Sequence, residues 1–520
     1  MFLNIITVLG IIFLNGGVIS CSDRILDDIN RDASHPLSVE AKYILADVIT
    51  STAFYNTGGD MNTYLAVYVE HEKGVHNQLL RAETRSGEPQ LATTFNNKWE
   101  SLYNTLKDAR IALSICSKGG RQADNSITRG IAEVMIAYNS ALITDFFGDV
   151  PWSEAALIDE AGRPLHMSPK IDRQEEIYEN IFTLLDAAIA DLQGTDSHAM
   201  GSYDLLYGGD NEKWLKFAYG LKARYTMRLL HRAANKAAEY DKILDYISKS
   251  FTSTDEQAAF AVYDDNNLNP LFDFQWSRDG LGASESLADK LIERDDPRIR
   301  RVFIDADLVQ VEDQNAENFL PAPNGEPDER QYYYNTSAFV YSQTAPTLFL
   351  SYHELLFLKA EALARKGDPG AKAVLREAVI AGIANSEISV AAAFSSPAAS
   401  IYLEETTAAI TEDEAAEYFD SKVSPLFDLN PLKEVMVQKY LAFFGASGES
   451  PEAYNDIRRL RALDEGDFIT LANPNNAEGK FPLRCGYGTS DVTTNPAVQA
   501  AFGNGQYVYT ENVWWAGGTR

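Results

Sequence analysis

Hydrophobic residues recur at three- and four-residue steps over much of the chain, which is the spacing of one face of an α-helix. In DRQEEIYENIFTLLDAAIADLQG, acidic residues occupy the first turn and a glycine follows the end. The apolar stripe of this segment comprises Ile177, Ile181, Leu184, Leu185, Ala188 and Leu192. A second stripe in NEKWLKFAYGLKARYTMRLLHR comprises Trp214, Phe217, Leu221, Tyr225 and Leu229. Both segments predict amphipathic helices that bury one face.

A pair of helical patterns in LFLSYHELLFLKAEALARKGDPGAKAVLREAVIAGI is separated by the turn residues Gly367, Asp368, Pro369 and Gly370. A tight turn between two amphipathic helices is typical of a tetratricopeptide-like hairpin. Further helices are predicted over residues 40–51, 97–116, 126–147 and 431–444. No strict repeat of about 34 residues runs through the chain. The pattern therefore predicts a mostly α fold built from irregular helix pairs.

Long polar stretches with glycine and proline lie between the predicted helices, over residues 261–282, 307–346 and 465–505. Loops of this length in a compact protein are usually functional or locally folded. The helix over 126–147 is expected to end at a left-handed cap at Gly148, and Pro151 requires an extended Val150 before Trp152. The sequence predicts a helical scaffold that carries a loop-rich, irregular part.

Composition and charge narrow the class of protein. Hydrophobic residues make up 45% and charged residues 23% of the 520 residues, which are ordinary values for a globular protein. The formal net charge is -30 and the isoelectric point is near 4.6. A surface of this charge repels the phosphates of nucleic acid, so we expect no nucleic-acid partner. The 26 tyrosines favour neutral polar ligands, because a tyrosine ring stacks well and its hydroxyl can donate a hydrogen bond.

The three cysteines do not form a disulfide framework or a zinc site, because their number is odd and they lie far apart in sequence. Cys116 and Cys485 are expected to be buried thiols. Cys21 differs because an apolar run over residues 2–14 precedes it and small Ser20 stands immediately before it. This arrangement resembles a lipobox, in which the cysteine thiol carries a diacylglycerol.

The N-terminal segment predicts a lipoprotein signal peptide over residues 1–20 and a mature domain over 21–520. Its first residues lack Lys and Arg, so the true start of the chain is expected to lie upstream. An uncleaved membrane anchor and a cytosolic protein with an apolar N-terminus are the alternatives. Several acyl chains would hold the mature protein firmly on a membrane. The acidic stretch 22–28 resembles the export signal of surface lipoproteins and favours the outer face of the outer membrane.

The segment TDFFGDVPWSEA resembles a signature of the SusD/RagB-like outer-membrane lipoproteins. Further segments resemble that family in the same order, namely WESLYNTL, IYENIFTLLDAAIADL, YGGDNEKWLKFAYGLKARYTMRLL, RDDPRIRRVF, SYHELLFLKAEALARKG, VQKYLAFFG, EAYNDIRRL and ENVWWAGG. The QKY, DIRRL and VWW elements are most similar to the SusD-like 2 branch. The resemblance runs from Cys21 to Trp515.

This resemblance implies a SusD-like α-α superhelix with four tetratricopeptide-like helix pairs and a loop-rich ligand-facing part. It implies a protein without enzymatic activity that binds nutrients, often oligosaccharides, at the cell surface. Its partner would be a SusC-like TonB-dependent transporter, over which it acts as a lid. Its only attachment to the membrane would be the lipid on Cys21.

Candidate ligand contacts are aromatic residues in the long loops, since an aromatic face packs on a sugar ring and polar side chains at its rim bond hydroxyls. The candidates are Trp276, Arg278, Asp279, Tyr332, Tyr333, Tyr334 and Asn335, with Tyr64 and Tyr68 as a further i, i+4 pair. The alternative is that each of them packs a loop onto the scaffold. Trp99, Trp152 and Trp214 lie on helical stripes or at caps and are expected to be core residues.

Cofactors and catalysis find little support in the sequence. The segment AVYDDNNLNP around Asp264 is rich in oxygen ligands for a structural calcium ion, but it lacks the spacing of an EF-hand loop, and a solvated turn is the simpler interpretation.

A surface glycoside hydrolase is one alternative function, since two carboxylates at the required separation could lie among the 75 acidic residues. A tetratricopeptide-like interaction scaffold without a sugar ligand is the other.

Overall fold

The computed structural model of the chain describes residues 39–159, 162–328 and 332–520. Residues 41–520 form one compact unit. The predicted signal peptide, the boundary after residue 20 and Cys21 lie outside the described residues.

Helices dominate this unit, and their bounds follow in chain order. They are α1 Ala41–Ser51, α2 Asp60–Tyr68, α3 Asn77–Thr84, α4 Asn96–Cys116, α5 Ser126–Phe147, α6 Gln174–Asp191, α7 Asn211–Arg228, α8 Lys236–Ser248, α9 Pro270–Arg278, α10 Glu285–Ile292, α11 Ile299–Val302, α12 Tyr352–Lys366, α13 Ala371–Phe394, α14 Glu412–Tyr418, α15 Ser424–Leu429, α16 Pro431–Ala442, α17 Ser450–Ala462, α18 Thr489–Thr494, α19 Pro496–Phe502 and α20 Tyr507–Thr510. A π-helical turn, Thr52–Thr57, continues α1.

Short strands pair across the connections. They are β1 Glu72–Gly74, β2 Val150–Pro151, β3 Ile171–Asp172, β4 Ala258–Phe260, β5 Leu281–Ala283, β6 Phe303–Ile304, β7 Thr336–Ser337 and β8 Thr347–Leu350. Antiparallel pairs form between β1 and β5, β2 and β3, β4 and β8, and β6 and β7. Each pair fastens a connecting segment to the helical scaffold.

The long helices pack mainly against their neighbours in the chain. α1 packs on α4, α4 on α5, α5 on α6, α6 on α7 and α7 on α8. α8 then packs on α12, α12 on α13, and both of these on α16. This succession of packed helices, together with the similar folds of related structures, confirms the predicted mostly α fold of tetratricopeptide-like helix pairs.

The predicted hairpin is formed by α12 and α13. The Ser351 hydroxyl accepts a hydrogen bond from the Glu354 amide at 3.1 Å and caps the start of α12. Gly367 ends that helix in the left-handed conformation, with φ 68°. By length and composition α13 could cross a bilayer, but 56% of its most apolar window is buried, and it packs on α12 and α16. Its position is that of a core helix.

Buried ion pairs connect the helices at defined points. Arg224 on α7 lies 2.5 Å from Glu354 on α12, and Arg228, one turn later, lies 2.5 Å from Asp145 on α5. All four side chains are almost wholly inaccessible to solvent. Pairs of this kind contribute more to the register of the packing than to net stability, because desolvation offsets most of the attraction between the charges.

One helix end differs in detail from the prediction. α5 spans the predicted range and stops before Gly148, but Gly148 has φ 76° and ψ -130°, which is outside the left-handed helical region. Glycine is required there for a second reason, because a Cβ atom would lie 2.3 Å from Nη2 of Arg484. The predicted left-handed cap is therefore corrected to a glycine-only conformation held against a buried arginine.

The long polar stretches are locally folded. The stretch 261–282 contains α9 and the start of β5, 307–346 contains β7 and a 3-10 turn, and 465–505 contains α18 and α19. Trp276, predicted to lie in a loop, is therefore on a helix.

Candidate functional site

A cleft of about 810 Å³ lies between α1, the π-helical turn, α4 and α9. Tyr55 stands at its rim, with 60% of the side chain exposed. Phe54 and Phe274 contribute apolar surface to its walls. We call this surface the α4–α9 cleft.

α9 forms one wall of the cleft and is fixed at its start. The Asn269 side chain caps the helix by accepting from the Leu271 amide at 2.9 Å, and Pro270 occupies the first turn. The Asn269 amide group also donates to the carbonyls of Ala345 and Ala446, at 2.8 and 3.0 Å. α9 is therefore anchored to two distant segments of the chain.

The π-helical turn forms another part of the wall and is held by a buried polar network. The Lys98 ammonium on α4 donates to the carbonyl of Tyr55 at 2.6 Å and to that of Asn56. The Asn56 side chain donates to Thr105 on α4 at 3.0 Å and to Asn139 on α5 at 2.9 Å. Burial lowers the pKa of Lys98 to about 7, and the nearby Asp60 opposes this shift in part.

The charge of the cleft is negative. Its acidic lining residues are Asp47, Asp60, Glu100, Asp108 and Asp273. Lys98 and Arg278 are its basic lining residues, and the Lys98 ammonium is already bonded to backbone carbonyls. Burial raises the pKa of Asp108, and the like charge of Asp47 adds to this shift.

α9 also carries a second surface on its other side. Trp276 is 49% exposed and stacks on Phe272, with ring centroids 5.4 Å apart and an interplanar angle of 15°. The Tyr332 hydroxyl donates to Asp279 at 2.7 Å, three residues after Trp276. Tyr332 and Tyr333 are 71% and 50% exposed. We call Trp276, Tyr332 and Tyr333 the aromatic surface.

The structure thus groups several of the predicted ligand residues around α9. Trp276, Tyr332 and Tyr333 present exposed rings, Asp279 accepts from Tyr332, and Arg278 lines the cleft. Their contact with a ligand stays a prediction.

Four other predicted ligand residues are buried, and their assignment is corrected to a packing role. Tyr64 and Tyr68 are 5% and 0% exposed and form an edge-to-face pair with centroids 6.4 Å apart. Tyr334 is 9% exposed and donates to Asp328 at 3.1 Å. The Asn335 amide group donates to the Asn318 carbonyl at 2.9 Å. Packing and internal hydrogen bonds occupy these four side chains, so they leave no exposed face for a sugar.

The tryptophans assigned to the core behave as predicted. Trp99, Trp152 and Trp214 are 1%, 8% and 0% exposed, and Cys116 and Cys485 are buried free thiols.

Tyr55 and Lys98 were not predicted as site residues. An aromatic residue just after a predicted helix is a weak signal for Tyr55, whereas no local pattern shows that Lys98 points into the protein.

The segment around Asp264 forms a turn that bonds to itself. The Asp264 carboxylate accepts from the amides of Asn266 and Asn267, each at 2.8 Å, and from the Asn267 side chain at 3.0 Å. Within the described ranges, no group of three or more His, Cys, Asp or Glu side chains is arranged to hold a metal ion. These contacts give no support to the suggested calcium ion.

The chain matches known proteins over nearly its whole length. Residues 39–487 match the sequence model of the SusD-like 2 family, described as starch-binding and associating with the outer membrane. No curated protein matches the chain. Among solved structures, a SusD/RagB family protein from Bacteroides thetaiotaomicron is 54% identical, with a TM-score of 0.88, and the match covers 93% of this chain and 100% of that one.

More distant structures share the fold. A chitin-binding protein is 20% identical with a TM-score of 0.68, and the match covers 91% of this chain and 99% of the other. A SusD homologue from Bacteroides fragilis is 19% identical with a TM-score of 0.68, and the match covers 92% of this chain and 100% of the other. At this level of identity the similarity describes architecture alone.

Proposed function

Because the chain belongs to the SusD-like 2 family, which is described as starch-binding and associating with the outer membrane, we propose that it is a cell-surface lipoprotein that binds an oligosaccharide and passes it to a transporter. The predicted family and branch are confirmed by this membership and by the similar structure from Bacteroides thetaiotaomicron. The chain itself would carry out no chemistry on the ligand.

The observation that supports oligosaccharide binding is the pair of surfaces on the two sides of α9. The aromatic surface offers exposed rings whose flat faces match the C–H faces of sugar rings. The α4–α9 cleft beside it offers carboxylates and amides that can accept and donate hydrogen bonds to hydroxyl groups. A chain of several sugar rings is long enough to contact both surfaces.

The proposed location and partner follow from the same family assignment together with the sequence around Cys21. A lipid on Cys21 would hold the protein on the outer membrane, and the acidic stretch 22–28 favours its outer face. A SusC-like TonB-dependent transporter is the proposed partner, with this protein as its lid. Co-purification of the two proteins from detergent-solubilised outer membranes tests this part of the proposal.

A panel of neutral and charged oligosaccharides tests the binding function. The protein is run in gels that contain each glycan, and the same mixtures are assayed for new reducing ends. We expect retardation by at least one glycan and no increase in reducing ends. Release of reducing ends would instead favour a glycoside hydrolase, and no retardation by any glycan would favour an interaction scaffold.

A further inference from the structure

We propose that the α4–α9 cleft binds a sugar ring that carries a free, protonated amine, with Tyr55 as the stacking surface and the cleft carboxylates as partners of the amine. This inference rests on the proposed function, because it names the class of glycan that the same site would hold.

Tyr55 has the exposure and the rigid support that a stacking residue needs. Its side chain is 60% exposed at the rim of the cleft, while its own carbonyl accepts a hydrogen bond from the buried Lys98 ammonium at 2.6 Å. Gly59 packs closely on the same turn, because a Cβ atom there would lie 2.9 Å from the Tyr55 carbonyl oxygen. The ring is therefore presented by a backbone that is already ordered, which lowers the entropy cost of binding.

The carboxylates come from separate elements that meet at the cleft. Asp47 lies on α1, Asp60 begins α2, Glu100 lies on α4 and Asp273 lies on α9. In the described part of the chain, none of these four has a Lys or Arg nitrogen within the 4.0 Å of an ion pair. Asp60 already interacts with the charge of the nearby Lys98 ammonium, so a ligand ammonium would meet chiefly the carboxylates of Asp47, Glu100 and Asp273.

This charge distribution discriminates between classes of sugar. A sugar with a carboxylate or sulfate group would be repelled, because five acidic residues line the cleft and Arg278 is its one exposed basic lining residue. A neutral N-acetylated ring would gain only stacking and hydrogen bonds. A protonated amine would add attraction to the carboxylates and to the face of the Tyr55 ring. Two modest interactions of this kind correspond to about tenfold tighter binding of the amine form than of the N-acetylated form.

The test is a matched pair of tetrasaccharides that differ only in N-acetylation, β-1,4-linked glucosamine and β-1,4-linked N-acetylglucosamine. Their affinities for the full chain are measured by calorimetry at about pH 6, in low and in high salt. We expect the amine form to bind about tenfold more tightly at low salt, and this preference to shrink at high salt because the charges are screened.

Substitutions of cleft residues test whether the preference for the amine form arises in the cleft. Asp273→Asn and Asp47→Asn should each weaken binding of the amine form several-fold and leave the acetylated form unchanged. Tyr55→Ala should weaken the binding of both forms. Asp413→Asn serves as the control, since Asp413 is an exposed carboxylate on α14 that does not line the cleft. An equal effect of Asp413→Asn would mean that the net charge, and not the cleft, attracts the amine.

The outcomes separate this inference from the function on which it rests. Equal binding of the two forms, or binding of some other glycan with no binding of the amine form, contradicts the inference and leaves the proposed function standing. If no glycan in the panel binds and neither tetrasaccharide binds, the proposed function itself is contradicted.

Discussion

Replacing Trp276 with alanine removes one of the three exposed rings of the aromatic surface. A tryptophan side chain can bury up to about 250 Å², and 49% of this one is exposed. One face of the exposed part, about 60 Å², would be covered by a sugar ring. At about 25 cal/mol per Å², the lost contact amounts to about 1.5 kcal/mol, or about a tenfold weakening of binding.

The fold should tolerate this change. Trp276 contributes a stacked contact with Phe272 at the surface of α9, and such a pair is worth about 1 kcal/mol. Far-ultraviolet circular dichroism should therefore show unchanged helical content.

The assay is calorimetric titration with the glycan that gives the strongest retardation in the panel. Trp276→Phe should recover part of the affinity, because a smaller ring keeps some of the contact. Tyr402→Ala is the matched control, since Tyr402 is a 59% exposed aromatic residue outside both proposed ligand surfaces. Unchanged affinity in Trp276→Ala would refute the assignment of the aromatic surface.

Three further predictions concern stability and anchoring. Burial raises the pKa of Glu72 to about 8 from 4.5, so the stability that the protonated acid provides is present at low pH and is lost as the pH rises through this range. Glu72→Gln should therefore melt up to about 3 °C above the wild type at pH 8 and at the same temperature near pH 4.5, and an equal difference at both values would contradict this. Gly148→Ala should lower the free energy of unfolding in urea by more than about 2 kcal/mol, whereas Gly119→Ala, which shares the positive φ but has nothing within 4 Å of a Cβ atom, should cost clearly less. Cys21→Ala should give a folded protein that is not labelled by radioactive palmitate and does not sediment with membranes, and a wild type without label would end the lipoprotein assignment.

The scaffold could be predicted because its signals are local. α5 has the predicted bounds of residues 126–147, and the α12–α13 hairpin follows from a serine cap, a glycine stop and two apolar stripes. Each of these features acts within a few residues of the position it determines. Propensity, capping and periodicity are therefore sufficient.

α9 was not predicted, although Asn269 and Pro270 mark its start. Its nine residues are too few to establish a clear helical period, and their conformation depends on the bonds from Asn269 to two remote carbonyls. Those contacts have no counterpart in the local sequence.

The candidate site was predictable only in part. The spacing of Tyr64 and Tyr68 is the same for a surface pair and for a core pair, and only the packing of α2 against α17 decides between the two. Asn335 has the composition of a sugar contact, but its amide is used by a carbonyl 17 positions earlier in the chain. Which side chains remain free for a ligand is a property of the folded chain.

The central claim is that sugar rings bind along both sides of α9 and leave intact. A crystal structure of the protein with its best-binding oligosaccharide tests this claim most directly. We predict electron density for one ring against Trp276 and for another in the cleft beside Tyr55, with every glycosidic bond unbroken. Density for the glycan at another surface, or for cleaved products in the cleft, would contradict the account.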